Sequence, residues 1–128
     1  MRVIAGIFKG RRLQSAPIVG VRPTSDKVRE SVFDILAQSV ENADILDLFA
    51  GFGLMGLEAI SRGARSLLSV EKSRVAVRVI QGNADLLKVS NIQIFCMDVF
   101  AFLKHAARKK KLYNLIFADP PYGMFEKK

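Results

Sequence analysis

The stretch that decides the fold is residues 45–56, ILDLFAGFGLMG. It opens with a short apolar run typical of a buried strand and continues into the G-x-G-x-x-G pattern of Gly51, Gly53 and Gly56. Glycine lets the backbone turn sharply and approach a ligand, and the helix predicted over 53–61 would present free N–H groups to that ligand. Glu71 follows Gly51 by 20 residues, where an acid suits ribose hydroxyls. The pattern favours a nucleoside-containing cofactor, and a tight turn without a ligand is the alternative.

An acidic residue inside this stretch favours one class of nucleoside cofactor. Asp47 precedes Gly51 by four residues, and a carboxylate there would repel a diphosphate but attract a cation. S-adenosylmethionine carries a sulfonium and an ammonium group, so the run of Asp47, Phe49, Gly51 and Gly53 favours it over NAD. Asp98 follows the third predicted strand, where it could accept from the adenine amino group or cap the next helix; the two roles are compatible.

Strands and helices alternate along the rest of the chain. We predict strands over 45–49, 66–70, 92–96 and 113–118, with helices over 53–61, 73–89 and 99–108. Near-continuous apolar strands that alternate with helices indicate a mostly parallel sheet covered on both faces. The chain therefore reads as one α/β domain, residues 1–128, whose cofactor-binding core (43–128) stops soon after the fourth strand.

Residues 1–42 are predicted to extend this core. A loose alternation over residues 2–14, around Gly6 and Gly10, indicates a short β-hairpin. Thr24 or Ser25 can cap a following helix that runs to about Val40, and this helix is expected to bury Val28, Val32, Ile35, Leu36 and Val40. Its charged residues, Arg29 among them, are expected on the surface.

The charge of the chain is high and unevenly distributed. The formal net charge is +8, made up of +6 in residues 1–29, −3 in 30–100 and +5 in 101–128. Such an excess suggests a polyanionic partner, nucleic acid above all, around a less basic small-molecule site. The lone cysteine, Cys96, permits no internal disulfide, and the sequence shows no Cys/His cluster for a metal, no signal peptide and no membrane span. We expect a cytoplasmic protein without a metal.

The fourth predicted strand ends in Asp119-Pro120-Pro121-Tyr122. Aspartate can accept a hydrogen bond from an amine, the prolines leave carbonyls without competing N–H donors, and tyrosine offers a face on which a flat base can stack. Together they suit methylation of an exocyclic amino group on a base taken out of its stack. A strand that simply ends in a Pro-Pro turn is the alternative.

Four ordered blocks then resemble one known family. Residues 22–36 (RPTSDKVRESVFDIL), 46–51 (LDLFAG), 57–64 (LEAISRGA) and 119–122 (DPPY) look like the signatures of the bacterial RsmD family. Members of that family methylate guanine N2 in small-subunit (16S) ribosomal RNA with S-adenosylmethionine, on a seven-stranded Rossmann-like fold. The resemblance implies the same fold, cofactor and rRNA substrate here, free or within an assembling ribosomal subunit, with the C-terminal strands missing.

The resemblance also implies roles for particular residues. Asp47, Gly51 and Gly53 would line the cofactor, Glu71 would hold its ribose, and Asp98 and Val99 would meet its adenine. Residues 119–122 would be catalytic, and Arg22 and Thr24 would help to close the site. Phe52 departs from the family, which usually has a small residue there; it would either crowd the methionine end of the cofactor or point away from it.

The basic residues near the N-terminus are the predicted RNA contacts. We assign phosphate binding to Lys9, Arg11, Arg12 and Arg22, with a solvated hairpin as the alternative. Lys109–Lys111 are interpreted instead as a solvated helix end. Two other functions stay open: a DNA adenine or cytosine amino-methyltransferase, which shares the tetrapeptide, and an inactive truncated fragment that binds RNA or cofactor.

Overall fold

A computed structural model describes residues 1–17 and 23–121 of the chain. Its four strands are β1 (Asp44–Leu48), β2 (Ser66–Glu71), β3 (Ile92–Cys96) and β4 (Leu115–Ala118). Its four α-helices are α1 (Asp26–Leu36), α2 (Leu54–Ser61), α3 (Arg74–Leu86) and α4 (Val99–Lys109), and a short 3-10 helix (Ala37–Val40) extends α1. All four predicted strands of the core are therefore present, with bounds close to those expected from the sequence.

The four strands form one parallel sheet in the order β3-β2-β1-β4. From β1 the chain moves outward to β2 and β3 and then returns to place β4 on the other side of β1. In sheets of this kind, ligands bind beyond the carboxyl ends of the strands at the point where the strand order reverses. Here that point lies between β1 and β4, where Leu48 is level with Ala118.

Helices cover the two faces of the sheet, and alternate residues of each strand point to opposite faces. On β1, Ile45 packs with Ala59 and Ile60 of α2. Its neighbours Leu46 and Leu48 point the other way, into a cluster with residues of α4. This two-sided burial explains why the strands read as unbroken apolar runs in the sequence.

Helix α1 begins as predicted but buries different residues. The Ser25 side chain accepts a hydrogen bond from the Val28 amide, which fixes the start of the helix. Val28 and Ile35, expected in the core, are exposed, whereas Phe33 and Arg29 are buried. The surface position predicted for Arg29 is wrong, because Arg29 Nη1 lies 3.6 Å from Oε1 of Glu58, a carboxylate that is also fully buried. A buried counter-charge and a hydrogen bond to the Arg2 carbonyl compensate for the loss of water around the guanidinium.

The predicted N-terminal hairpin is much reduced. Its antiparallel pairing amounts to one bridge between Arg2 and Arg12, with hydrogen bonds between the backbones of residues 3 and 10–11. A longer ladder does not form because the amides of Ile4 and Ala5 donate to the Glu58 carboxylate on α2 instead. We call residues 1–14 the N-terminal arm; its apolar side chains, Val3 and Leu13, pack into the core.

Candidate functional site

Four predicted site positions meet at the carboxyl edge of the sheet. Phe49 follows β1, Glu71 ends β2, Asp98 follows β3, and Asp119 follows β4. Because the strands are parallel and in register, these residues lie along one edge, with Phe49 and Asp119 beside the reversal of strand order. The structure thus brings together the glycine loop and the start of the tetrapeptide, which are 68 residues apart from Gly51 to Asp119 in the sequence.

The glycine loop connects β1 to α2 through a backbone that favours glycine. Gly53 is the N-cap of α2 and has φ +82°, a left-handed conformation that other residues rarely adopt. Gly56 serves packing instead: a Cβ there would come within 2.6 Å of the Leu67 side chain on β2. Helix α2 therefore lies close against the sheet, with its N-terminal amides directed at the carboxyl edge.

Glu71 holds this loop in place. Its Oε1 accepts from the Gly51 amide at 2.9 Å, and its Oε2 accepts from the Ser73 amide at 2.8 Å, just before α3 begins. Each oxygen therefore has one described hydrogen-bond partner and keeps a second lone pair, although the residue is only 8% exposed. This geometry is compatible with the predicted role of Glu71 in holding ribose hydroxyls, and it adds a role in shaping the loop.

Asp47 lies beneath the loop in an unusual environment for a carboxylate. It is 4% exposed, and its Oδ2 has no hydrogen-bond partner among the described residues. Burial raises the pKa of Asp47 from 3.8 to about 7, and the nearby carboxylates of Glu71 and Asp119 add to the shift while the Gly56 amide opposes it. A buried acid without a cationic partner is what a site for a positively charged ligand group would contain.

Asp98 caps a helix, as one of its two predicted roles requires. Its side chain accepts from the Ala101 amide at 3.0 Å at the start of α4. Val99 is buried beside it, and Phe100 is half exposed and makes an edge-to-face contact with Phe49, with ring centroids 6.3 Å apart. Asp98 therefore stands at the carboxyl edge next to apolar side chains that could contact a flat heterocycle.

The tetrapeptide is described as far as Pro121. Asp119 is exposed at the end of β4, and Pro120 and Pro121 are partly buried behind it. Tyr122 lies outside the described residues, as does Arg22 of the predicted RNA contacts. Thr24, expected to help close the site, is partly buried just before α1.

Phe52 occupies the core rather than the site. It is 2% exposed and belongs to the cluster that contains Val3, Leu13 and Leu57. Of the two alternatives that the sequence left open, the structure favours the one in which this side chain points away from the cofactor.

The predicted RNA contacts of the N-terminal arm lie beside helix α3. Lys9, Arg11 and Arg12 are exposed, and Arg11 Nη2 donates to the carbonyl of Leu86 at the C-terminal end of α3. About one turn earlier in α3, the Asn83 side chain bonds both the Phe52 carbonyl of the glycine loop and the backbone of Gln14. The arm therefore reaches the helix residues that contact the glycine loop, and the contact of its bases with RNA stays a prediction.

Two buried polar residues near the site were missed from the sequence. Ser69 is fully buried in β2, and Glu58 is fully buried in α2, where it binds both the N-terminal arm and Arg62. A serine inside the otherwise apolar run of β2 was the available signal for the first. A glutamate inside the otherwise apolar helix LMGLEAIS was the signal for the second, but its partners could not be named because they come from distant parts of the chain.

Comparison with known proteins agrees with this architecture. Residues 1–127 match the family described as conserved hypothetical protein 95. The chain belongs to this family. The resemblance predicted from the four sequence blocks is thereby confirmed at the level of the family.

Individual relatives carry more specific descriptions. The chain is 38% identical over 128 residues to ribosomal RNA small subunit methyltransferase D of Escherichia coli K12, covering 98% of this chain and 63% of that relative. The solved structure of yhhF from Escherichia coli, described as a candidate methyltransferase, superposes with a TM-score of 0.86 at 37% identity, covering 98% of this chain and 67% of that one. The Rossmann-like fold expected for the family is thus confirmed.

A third solved structure includes a bound molecule. SMU.776, described as a candidate methyltransferase complexed with SAH, matches 80% of this chain with a TM-score of 0.68 and 25% identity, and the match covers 27% of that protein. Within residues 1–17 and 23–121, no helix is long and apolar enough to cross a membrane. The same residues contain no group of three or more side chains that could hold a metal ion.

Proposed function

We propose that this chain carries the cofactor-binding and catalytic part of an S-adenosylmethionine-dependent methyltransferase that acts on the exocyclic N2 of a guanine in 16S rRNA. The observation that carries the proposal is the buried Asp47 carboxylate, which has an unpartnered oxygen directly beneath the glycine loop. A dinucleotide would bring phosphates to this loop, and a buried acid would repel them. A cofactor with a cationic end would supply the missing partner.

The described residues fit S-adenosylmethionine at each of its parts. Asp47 would hold the positively charged methionine end, and the loop backbone at Gly51 and Gly53 would permit its close approach. Glu71 retains lone pairs for the ribose hydroxyls, and Asp98 and Val99, which follow β3 at the same edge, would meet the adenine. When bound, this cofactor supplies an electrophilic methyl group, and the SAH complex of SMU.776 is consistent with that choice.

The residues after β4 would prepare the substrate amine. An exocyclic amino nitrogen is a weak nucleophile because its lone pair is delocalised into the ring. The Asp119 carboxylate and the Pro120 carbonyl would hold the two N–H groups and turn the lone pair toward the cofactor. Asp119 is exposed, so it can reach a base that enters from solvent and accept the proton that the nitrogen loses. Orientation and fixed electrostatics are the expected sources of rate enhancement.

Tyr122 completes the proposed substrate site, and the bases of residues 1–29 provide affinity for the polyanion. Stacking of the target base on the Tyr122 ring is worth roughly 1–3 kcal/mol in comparable sites. Lys9, Arg11, Arg12 and Arg22 would contact phosphates of the RNA backbone. An rRNA substrate implies the cytoplasm as the place of action, on free rRNA or on an assembling small subunit.

Two alternative functions differ from the proposed rRNA methyltransferase in ways that can be tested. A DNA amino-methyltransferase is favoured by the tetrapeptide alone, since that pattern suits amino groups of adenine and cytosine as well. A binding fragment without activity is favoured by length, because the chain spans 63% of the Escherichia coli relative. The described residues include the glycine loop and Asp119 but not the contacts that the rest of such a relative could add.

Transfer of a labelled methyl group separates these three functions. The chain is incubated with labelled S-adenosylmethionine and with naked 16S rRNA, small subunits or DNA, and the modified nucleoside is identified. We expect N2-methylguanosine in an rRNA-containing substrate, and at least a hundredfold loss in Asp119→Ala. The matched control is Asp34→Ala, which removes an exposed carboxylate from α1. Transfer to DNA alone, or wild-type transfer by Asp119→Ala, would overturn the proposal.

A further inference from the structure

Two polar atoms near the glycine loop are buried without any hydrogen-bond partner among the described residues. One is Oδ2 of Asp47 and the other is the hydroxyl oxygen of Ser69, whose residue is fully buried. The other two such atoms both belong to Arg29, whose charge is compensated by Asp26 and Glu58. Buried polar groups are almost always paired, so two orphans at one site point to a function for the pair.

The two orphaned side chains are neighbours on the sheet. Asp47 of β1 and Ser69 of β2 are register partners, and adjacent strands lie about 4.8 Å apart. Register partners in a parallel pair point to the same face, and this is the face of Ile45 and Leu67, under α2. The hydroxyl of Ser69 and the Asp47 carboxylate therefore face the same layer, although they do not bond each other in the ligand-free structure. Rotation about the Cα–Cβ bond of Ser69 would turn its hydroxyl toward the carboxylate.

No other side chain in the described residues can keep Asp47 charged. The acids near it, Glu71 and Asp119, both disfavour ionisation, and from α2 only the Gly56 amide supports it. None of the described ion pairs includes Asp47. The amides of Gly51 and Ser73 are not free to donate to Asp47, because both already donate to Glu71. Ser69 is the one side-chain hydroxyl at the same level of the neighbouring strand.

We propose that Ser69 is a positioning residue for the cofactor: when Asp47 ionises opposite a ligand ammonium, the Ser69 hydroxyl turns to donate to the carboxylate and keeps that group oriented and charged. The inference rests on the proposed S-adenosylmethionine site and extends it to a residue of β2. The proposed role explains why a buried serine lies in an otherwise apolar strand. A serine that merely fills space would have no effect on Asp47.

The test compares Ser69→Ala with wild type at several pH values, using S-adenosylhomocysteine as the probe in calorimetric titrations. Loss of a hydrogen bond to a charged group should weaken binding about tenfold near pH 7. It should also move the pH at which binding reaches half its maximum upward by about one unit, since the carboxylate is then harder to ionise. Ser69→Cys has nearly the same shape with a weaker donor, and should fall between the two.

A double-mutant cycle with Asp47→Asn separates positioning from packing. If Ser69 acts only through the carboxylate, Ser69→Ala should cost no further affinity once Asp47 is replaced. At pH values where Asp47 is protonated, the effect of Ser69→Ala on folding should be small or favourable, because the buried hydroxyl that it removes then has no partner. Equal losses from Ser69→Ala in both backgrounds, or wild-type binding by Ser69→Ala at every pH, would overturn the proposal.

A measurement without ligand keeps the two proposals distinguishable. The chain has a mass of 14.2 kDa, which allows the Asp47 carboxyl carbon to be followed by NMR as a function of pH. We expect Ser69→Ala to raise the pKa of Asp47 relative to wild type. If wild type binds no S-adenosylhomocysteine, the proposed function fails, and the NMR titration still decides the role of Ser69: an unchanged pKa of Asp47 refutes it.

Discussion

Replacing Asp47 by asparagine should stabilise the ligand-free chain, and the gain should depend on pH. Burial raises the pKa of Asp47 to about 7, whereas the unfolded chain ionises it near 3.8. Below pH 4 the group is protonated in both states and contributes no difference. As the pH rises toward 7, the unfolded state loses the proton first, so ionisation of Asp47 progressively favours unfolding.

The size of this effect follows from the same shift. Each pKa unit corresponds to about 1.4 kcal/mol. Ionisation of Asp47, which is 4% exposed, should therefore lower the free energy of unfolding of wild type by about 4 kcal/mol in total. Asparagine has nearly the same shape and does not titrate. The stability difference between Asp47→Asn and wild type should therefore open between pH 4 and 7 and stay constant above pH 7.

Urea unfolding followed by circular dichroism between pH 3 and 9 measures this difference. The control is Asp34→Asn, an exposed residue of α1, whose curve should stay within about 0.5 kcal/mol of wild type throughout. Saturating S-adenosylmethionine should reduce the gap by stabilising wild type more than Asp47→Asn. A gap that is independent of pH, or that is largest below pH 4, would refute the reasoning from burial.

Two further predictions concern residues outside the immediate site. Phe52→Ala should destabilise the chain by about 3–5 kcal/mol in urea unfolding, because it leaves a cavity at a core position. The cofactor affinity of this variant, measured under native conditions, should stay within about twofold of wild type. A larger loss of affinity would show that the ring contributes to the site. Replacing Lys9, Arg11 and Arg12 together by glutamine should weaken rRNA binding and reduce the steepness of log affinity against log salt by about two to three. The same change at Lys109–Lys111 should leave that slope unaltered. Equal effects of the two triple replacements would contradict a specific role for the N-terminal arm.

The core was predictable because its signals are local. Each strand is a short apolar run, and each helix after it starts at a residue whose conformation or side chain marks the boundary, such as Gly53 or Asp98. The predicted strand over 45–49 differs from β1 by one residue at each end, since Phe49 leaves the ladder with φ +58° to begin the glycine loop. The family blocks then gave the site its chemistry.

The N-terminal region was less predictable because long-range contacts decide its structure. Helical periodicity favoured burial of Val28 and Ile35, yet the helix turns Arg29 inward toward Glu58, which lies 29 residues further along the chain. The same carboxylate takes the amides of Ile4 and Ala5 out of the expected hairpin. Such exchanges between backbone and side-chain partners leave no pattern in the local sequence.

Some residues of the site were likewise predictable from the sequence, and others were not. The residues of the carboxyl edge were found because glycines, acids and the tetrapeptide carry recognisable chemistry. Ser69 was not found, since a single serine in a strand has no meaning until the register places it beside Asp47. The contact of Arg11 with the carbonyl of Leu86 also depends on the tertiary structure, because the two residues are 75 positions apart in the sequence.

The attachment of the N-terminal arm to α2 has a consequence for synthesis of the chain. Its hydrogen bonds to Glu58 and Ser61 span 53 or 54 residues, so residues 4–8 are synthesised well before their partners. At translation rates of about 5–20 residues per second, residues 4–8 wait roughly 3–10 s before those partners have been made. During that interval Val3 and Phe8 have no core to pack into, which would expose this segment of the nascent chain to a holding chaperone.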